Sequence, residues 1–138
     1  CNPATAIAFD TFGILIFGAS GTGKSTLAVD LLAVGAELIA DDAVLVRSDG
    51  MGIMLERPAN LPNLIEVRGI GLLRAVNSVP KPLRLAVDLN RKEPNRLPPH
   101  REIDVLGHNV PLILGAGIHS LGHKLRLFAL QGRADEPS

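Results

Sequence analysis

The stretch that decides the fold is ILIFGASGTGKSTL, running from Ile14 to Leu27. Ile14-Leu15-Ile16-Phe17 is a continuous apolar run, suited to a strand buried on both faces. Gly18-Ala19-Ser20-Gly21-Thr22-Gly23-Lys24-Ser25 then satisfies G-x-x-x-x-G-K-[ST] at every fixed position. From Lys24, the spacing of Leu27, Leu31 and Leu32 predicts a helix that ends at Gly35. Strand, glycine-rich loop and helix in this order are the context that a phosphate-cradling loop requires. Glycines let successive N–H groups face one anion, and the helix N-terminus adds partial positive charge. The Lys24 ammonium suits β- and γ-phosphates, and the Ser25 hydroxyl suits Mg²⁺. A ligand-free glycine turn is the alternative, but motif and flanks agree on a nucleotide. The candidate nucleotide-binding residues are Gly18, Ala19, Ser20, Gly21, Thr22, Gly23, Lys24, Ser25 and Thr26, with ATP and Mg²⁺ as cofactors.

Working outward, the next polar feature is Asp41-Asp42, which ends the apolar run Ala36 to Ala40. A helix of about ten residues carries the chain roughly 15 Å from the phosphates. Five strand residues return it by about 16 Å. A right-handed strand–helix–strand crossover therefore brings both carboxylates back to the phosphate end of the sheet. There a carboxylate can hold Mg²⁺ or take a proton from an attacking hydroxyl. Adjacent residues on a strand face opposite ways, so the pair divides these roles. A polar strand end or a cap is the plain alternative.

Glu66 and Arg68, at i and i+2 of an alternating segment, share one face of a predicted strand. Gly69 beside them permits close backbone approach. By spacing alone an ion pair accounts for the two as well as a site does.

Further strands are expected at 4–9, 44–46, 53–55, 83–89, 103–106 and 110–114, with a closing helix over 120–131. A turn at Ser48-Asp49-Gly50 pairs the second and third of these, and one at Gly107-His108-Asn109 pairs the last two. Residues 91–100 read as an exposed polar loop and 132–138 as a frayed tail. The whole is one strand-rich α/β domain over 1–138, with no internal repeat.

Composition narrows the function. The chain has 138 residues, 14 basic and 14 acidic side chains, four Phe and neither Tyr nor Trp. Neutral charge argues against general nucleic-acid or membrane-surface binding, and the missing Tyr and Trp remove the usual base-stacking platforms. No apolar run spans a bilayer, and the single Cys1 forms no internal disulfide, which fits a cytoplasmic protein. Charge is uneven: residues 1–50 carry two basic and six acidic groups, whereas 68–101 carry eight basic groups against Asp88 and Glu93. The basic stretch suits an acidic partner or phosphates, or is simply solvated. His119 and His123 are four apart but lack the Glu of H-E-x-x-H, so a metal site there is not expected.

G-A-S-G-T-G-K-S at 18–25, A-D-D at 40–42 and E-V-R-G-I-G at 66–71 stand in order. With them the chain resembles the catalytic domain of HPr kinase/phosphorylase, over roughly residues 4–90. Short single-domain alphaproteobacterial forms look most similar. The resemblance implies a P-loop core on a mixed sheet, related to phosphoenolpyruvate carboxykinase. It also implies an ATP-dependent serine kinase acting on HPr, the phosphocarrier of the sugar phosphotransferase system, with phosphorolysis of phosphoserine in reverse. In that reading Asp41 is the catalytic base, assisted by Lys24 and Arg68. Ser25, Asp42 and Glu66 serve the metal. Three departures stand out: Pro3 where the family has a His, Thr26 where it usually has an acidic residue, and shortened regions at 75–83 and the C-terminus. Those regions help longer forms grip HPr and form hexamers, so a homo-oligomer stays an option. Two rivals use the same loop: a small-molecule kinase or NTPase with 91–101 as lid, and a nucleotide-sensing module with little turnover.

Overall fold

Alternation of residue size, not of polarity, builds the first hairpin of the computed structural model, which describes residues 3–75 and 80–133. In β1 (Thr5–Phe9) and the residue before it, Ala4, Ala6 and Ala8 enter one core cluster while Ile7 enters another. Both faces are buried, so small and large side chains alternate where polar and apolar would in a half-exposed strand. β1 pairs antiparallel with β2 (Phe12–Phe17), with Asp10 at φ 54 in the connection.

The glycine-rich loop follows β2 and leads into α1 (Lys24–Ala33). This helix ends as expected at Gly35, which takes φ 106. The Gly35 N–H donates to Leu32 O and the Ala36 N–H to Leu31 O, the paired bonds of a Schellman cap. β3 (Glu37–Ala40) then pairs antiparallel with β1, so β2 and β3 run parallel with β1 between them. The crossover predicted from spacing exists, but it steps over one strand.

Beyond β3 come β4 (Leu45–Ser48) and β5 (Ile53–Glu56), an antiparallel hairpin. A separate two-stranded hairpin holds β6 (Leu64–Val67) and β7 (Gly71–Arg74). β8 (Lys81–Asp88) runs parallel to β2, and β10 (His108–Leu114) parallel to β8. β9 (Glu102–Val105) closes the edge antiparallel to β10. The sheet order is β3-β1-β2-β8-β10-β9, with β5 against the start of β8. It is a mixed sheet, as expected. The β9–β10 turn uses Leu106 and Gly107, at φ 49 and 84, one position earlier than the sequence suggested. Positive φ at both central residues marks a tight hairpin turn.

One face of the sheet carries α1 and α2 (Leu121–Gln131), which bury Leu27, Ala28, Leu31 and Leu125 over Ile14, Ile16, Leu85 and Val87. Ile65 of β6 joins this layer. The opposite face packs the β1 alanines, Leu15 and Ala86 with Ile53, Leu55 and Val110. Gly13 lies at a register shift between β2 and β8, where a Cβ would stand 2.4 Å from the Pro82 carbonyl oxygen. Parallel β2, β3, β8 and β10 all end at one edge, so the segments after Phe17, Ala40, Asp88 and Leu114 meet there. That edge is where open α/β sheets bind ligands.

Of the tail expected over 132–138, residues 134–138 lie outside the described residues, as do 76–79 of the shortened region.

Candidate active site

The loop 18–23 is fastened from two sides. Within it, the Thr22 hydroxyl donates to Ala19 O at 2.7 Å, and the Thr22 N–H donates to the same oxygen at 3.2 Å. From outside, the Asn90 side chain accepts from the Ala19 N–H at 2.7 Å. Asn90 follows the end of β8, where buried Asp88 accepts from the Asn90 N–H through Oδ1 at 2.8 Å. Gly21 and Gly23 take φ 87 and 97, a region closed to most side chains. Lys24 folds over this loop, donating to Gly18 O at 2.8 Å and Ala19 O at 3.3 Å. Its ammonium is thus held among the carbonyls beneath the amides that would face a phosphate.

At the start of α1 the Ser25 hydroxyl donates to Asp41 Oδ1 at 2.9 Å. The same oxygen accepts from the Thr5 hydroxyl at 3.0 Å, and Thr5 is fully buried in β1. A serine that donates its proton to a carboxylate keeps its lone pairs for a cation. Asp41 is half-buried behind Ser25, whereas Asp42 is exposed at φ 69. The two carboxylates thus diverge, although β3 already stops at Ala40 and neither lies on the strand.

A cavity of about 400 Å³ opens between the loop, the first turns of α1 and the β6–β7 hairpin. Ser20, Lys24, Ser25, Asp42, Glu66 and Arg68 reach it. So Glu66 and Arg68 do join the glycine-rich loop, but not as two residues of one strand face. β6 ends at Val67, and Arg68 sits in the following turn. The expectation that Gly69 allows close approach is also corrected. Gly69 takes φ 82 with no atom within 4 Å of an added Cβ, so it serves the turn. Of the eight basic residues in 68–101, only Arg68 lines this cavity. Arg101 is committed to Glu93 through two hydrogen bonds of 2.7 and 2.9 Å, and a bridge joins Lys92 to Gly115. The Arg91 and Arg101 carbonyls also accept from the Ala116 and Leu112 N–H groups at 3.1 and 2.9 Å, so the segment proposed as a lid is anchored at both ends.

The donors around Ser25 are oxygens: its hydroxyl, Asp41 behind it, and Asp42 and Glu66 on the cavity wall. That set fits Mg²⁺, which takes few protein carboxylates and keeps waters and phosphates for its other positions. Among the described residues, no three His, Cys, Asp or Glu side chains cluster tightly enough to hold a metal alone. His119 precedes α2 and His123 lies within it, so the two do not share a helix face.

The HPr Serine kinase C-terminal domain model matches residues 4–111, most of the chain. The chain belongs to that family. It is 36% identical over 141 residues to the HPr kinase/phosphorylase of Aromatoleum aromaticum, covering 83% of this chain and 45% of the relative. To that of Cupriavidus metallidurans it is 43% identical over 121 residues, covering 76% of this chain and 37% of the relative. The chain thus spans less than half the length of these curated relatives. In fold it matches the Hpr(Ser) kinase/phosphatase from Coxiella burnetii with a TM-score of 0.75 at 24% identity, over 92% of this chain and 91% of that one. Within the HPr kinase domain, sequence reading missed Thr5 and Asn90. A hydroxyl in an alanine-rich buried strand and an amide just past a strand end were the available signals. No helix among the described residues is long and apolar enough to cross a membrane.

Proposed function

We propose that this HPr kinase domain is an ATP-dependent protein-serine kinase whose acceptor is HPr, with phosphorolysis of phosphoserine-HPr by inorganic phosphate as a second, opposing reaction. The observation that carries the reading is the Ser25–Asp41 hydrogen bond beside a cavity shared by Lys24, Asp42, Glu66 and Arg68. Membership of the family and the named relatives supply the acceptor.

In this reading the amides of 18–24 and the Lys24 ammonium hold the triphosphate. Ser25, Asp42 and Glu66 would hold Mg²⁺, which supplies charge neutralisation on the phosphate oxygens. Asp41 takes the proton from the acceptor serine hydroxyl. The serine oxygen then bonds to the γ-phosphorus as its bond to the β-bridging oxygen breaks, releasing ADP. Arg68 faces the same cavity and stabilises charge on the transferring group. In the opposing reaction an oxygen of inorganic phosphate bonds to the phosphoserine phosphorus as its bond to the serine oxygen breaks; Asp41 returns a proton to that oxygen, and pyrophosphate is the product.

A second distribution of roles has its own observation. Asp41 is held by Ser25 and Thr5, while Asp42 is exposed on the cavity wall. Asp42 would then be the base and Asp41 the residue that orients Ser25.

The test is transfer of labelled γ-phosphate from ATP to purified HPr. Serine phosphorylation that needs Lys24 supports the reading. ATP hydrolysis without transfer to HPr points to another acceptor, and binding without turnover points to a sensor. We also propose a cytoplasmic location, where HPr is found, and leave no role to nucleic acid or membrane.

A further inference from the structure

We infer that a second cavity, of about 300 Å³ between α1 and the segment 115–120, is the nucleoside subsite, which receives the base and ribose of the bound nucleotide. The inference rests on the nucleotide-binding part of the proposed function.

Continuity comes first. Gly23, Thr26 and Asp30 line both this cavity and the one holding Asp42, Glu66 and Arg68. A single ligand lying over the start of α1 therefore reaches both. Direction follows from the chemistry. The carboxylates and Arg68 stand on the first side, so the reacting phosphate end points there. The nucleoside end leaves the loop on the other.

The walls suit a flat, uncharged ring. Leu89, Ile118 and Leu121 supply aliphatic surface, and the backbone of Gly115 to Gly117 lies beside it. The chain has no Tyr or Trp for a base to lie on, and aliphatic surface can take that place. Phe12 and Phe128 are engaged with each other, edge to face at 6.2 Å, and no Phe lines this cavity. Asp30, exposed where the two cavities meet, offers an acceptor for a ribose hydroxyl.

Position is fixed by close packing. A Cβ on Gly115 would stand 2.9 Å from Leu121 Cδ2, and one on Gly122 would stand 3.0 Å from Asp30 Cβ. Glycine at these two places lets α2 begin against α1. Gly115 N–H also donates to Asp88 O at 2.8 Å and Ala116 N–H to Arg91 O at 3.1 Å. The same β8 end that holds the phosphate loop through Asn90 thus holds this segment.

Calorimetric titration of the wild-type chain and of Ile118→Ala and Ile118→Asp, each with Mg-ATP and with Mg-tripolyphosphate, tests the inference. Ile118→Asp should weaken ATP about tenfold and Ile118→Ala about threefold, the scale of losing one aliphatic contact. Tripolyphosphate, which lacks the nucleoside, should change less than about twofold by the same conversion. Its retention also reports that each variant is folded. Equal losses for both ligands, or none for ATP, would overturn the subsite. So would wild-type binding of tripolyphosphate as tight as that of ATP. If wild type binds neither ligand, the nucleotide reading itself fails.

Discussion

Ser25 and Asp41, sixteen positions apart, are joined by a 2.9 Å hydrogen bond that ties the first turn of α1 to the end of β3. The same Asp41 oxygen reaches Thr5 of β1, so one carboxylate links three elements at the edge where the parallel strands end. A cation held by Ser25 would therefore lie next to a group able to accept a proton.

Asp41→Asn should lower phosphoryl transfer about 10²–10⁴-fold, the range for losing a general base, while ATP affinity stays within a few-fold. Single-turnover transfer assays beside equilibrium binding check this. If the variant instead needs more Mg²⁺ and keeps its maximal rate, Asp41 acts through Ser25. In that case Asp42→Asn should carry the large loss.

Asn90 makes the outside contact to the glycine-rich loop, at the Ala19 N–H. Asn90→Ala should cost about 0.5–1.5 kcal/mol of stability, the usual net worth of one hydrogen bond. Denaturant unfolding reads it. Asn90→Asp keeps an acceptor but adds an anion beside the proposed phosphate site, so it should spare stability and weaken ATP binding more than Ala does. Equal nucleotide affinity in the two variants would contradict that placement.

Gly13 tolerates no Cβ because the Pro82 carbonyl, a backbone atom, stands only 2.4 Å from where it would be. Gly13→Ala should therefore destabilise by about 1–3 kcal/mol, as overpacking does. Thermal unfolding of the variant checks it; an unchanged Tm would mean that the β2–β8 pairing shifts at no cost.

The Arg101 guanidinium, donating two hydrogen bonds to Glu93, lowers that carboxyl from its ordinary value to about 2, helped by the Asn95 N–H. The folded value lies below the unfolded one, so the contribution to stability is complete above about 4.5. It falls away as the pH drops from there through about 2. Glu93→Gln should remove this part of the acid dependence, seen as a flatter stability profile between those values. A variant profile parallel to that of wild type would show that the pair is solvated too well to matter.

Much of the site was legible because its parts are local. The glycine-rich loop is a contiguous octapeptide, and the distance arithmetic from Ser25 to Asp41 needs only helix rise and strand rise. Arg68 was harder. Alternation continues through Ile65-Glu66-Val67-Arg68, but Gly69 at φ 82 turns the chain, and pairing with β7 stops at Val67. Pairing partners end strands, and β7 itself lacked a usable pattern because all four of its residues are exposed.

By itself the sequence determined the loop, the helix behind it, the Gly35 stop and the order of the three motifs. These depend on φ preference, hydrogen bonding between near neighbours and apolar periodicity, all written in adjacent residues. Only the tertiary structure decided that β1 stands between β2 and β3, that Thr5 backs Asp41, and that Asn90 holds Ala19. Each of these joins residues far apart in the chain, through a burial and register that no local pattern encodes. The division between Asp41 and Asp42 is of the same kind: adjacent and identical in the sequence, they differ because only one of them meets Ser25 and Thr5.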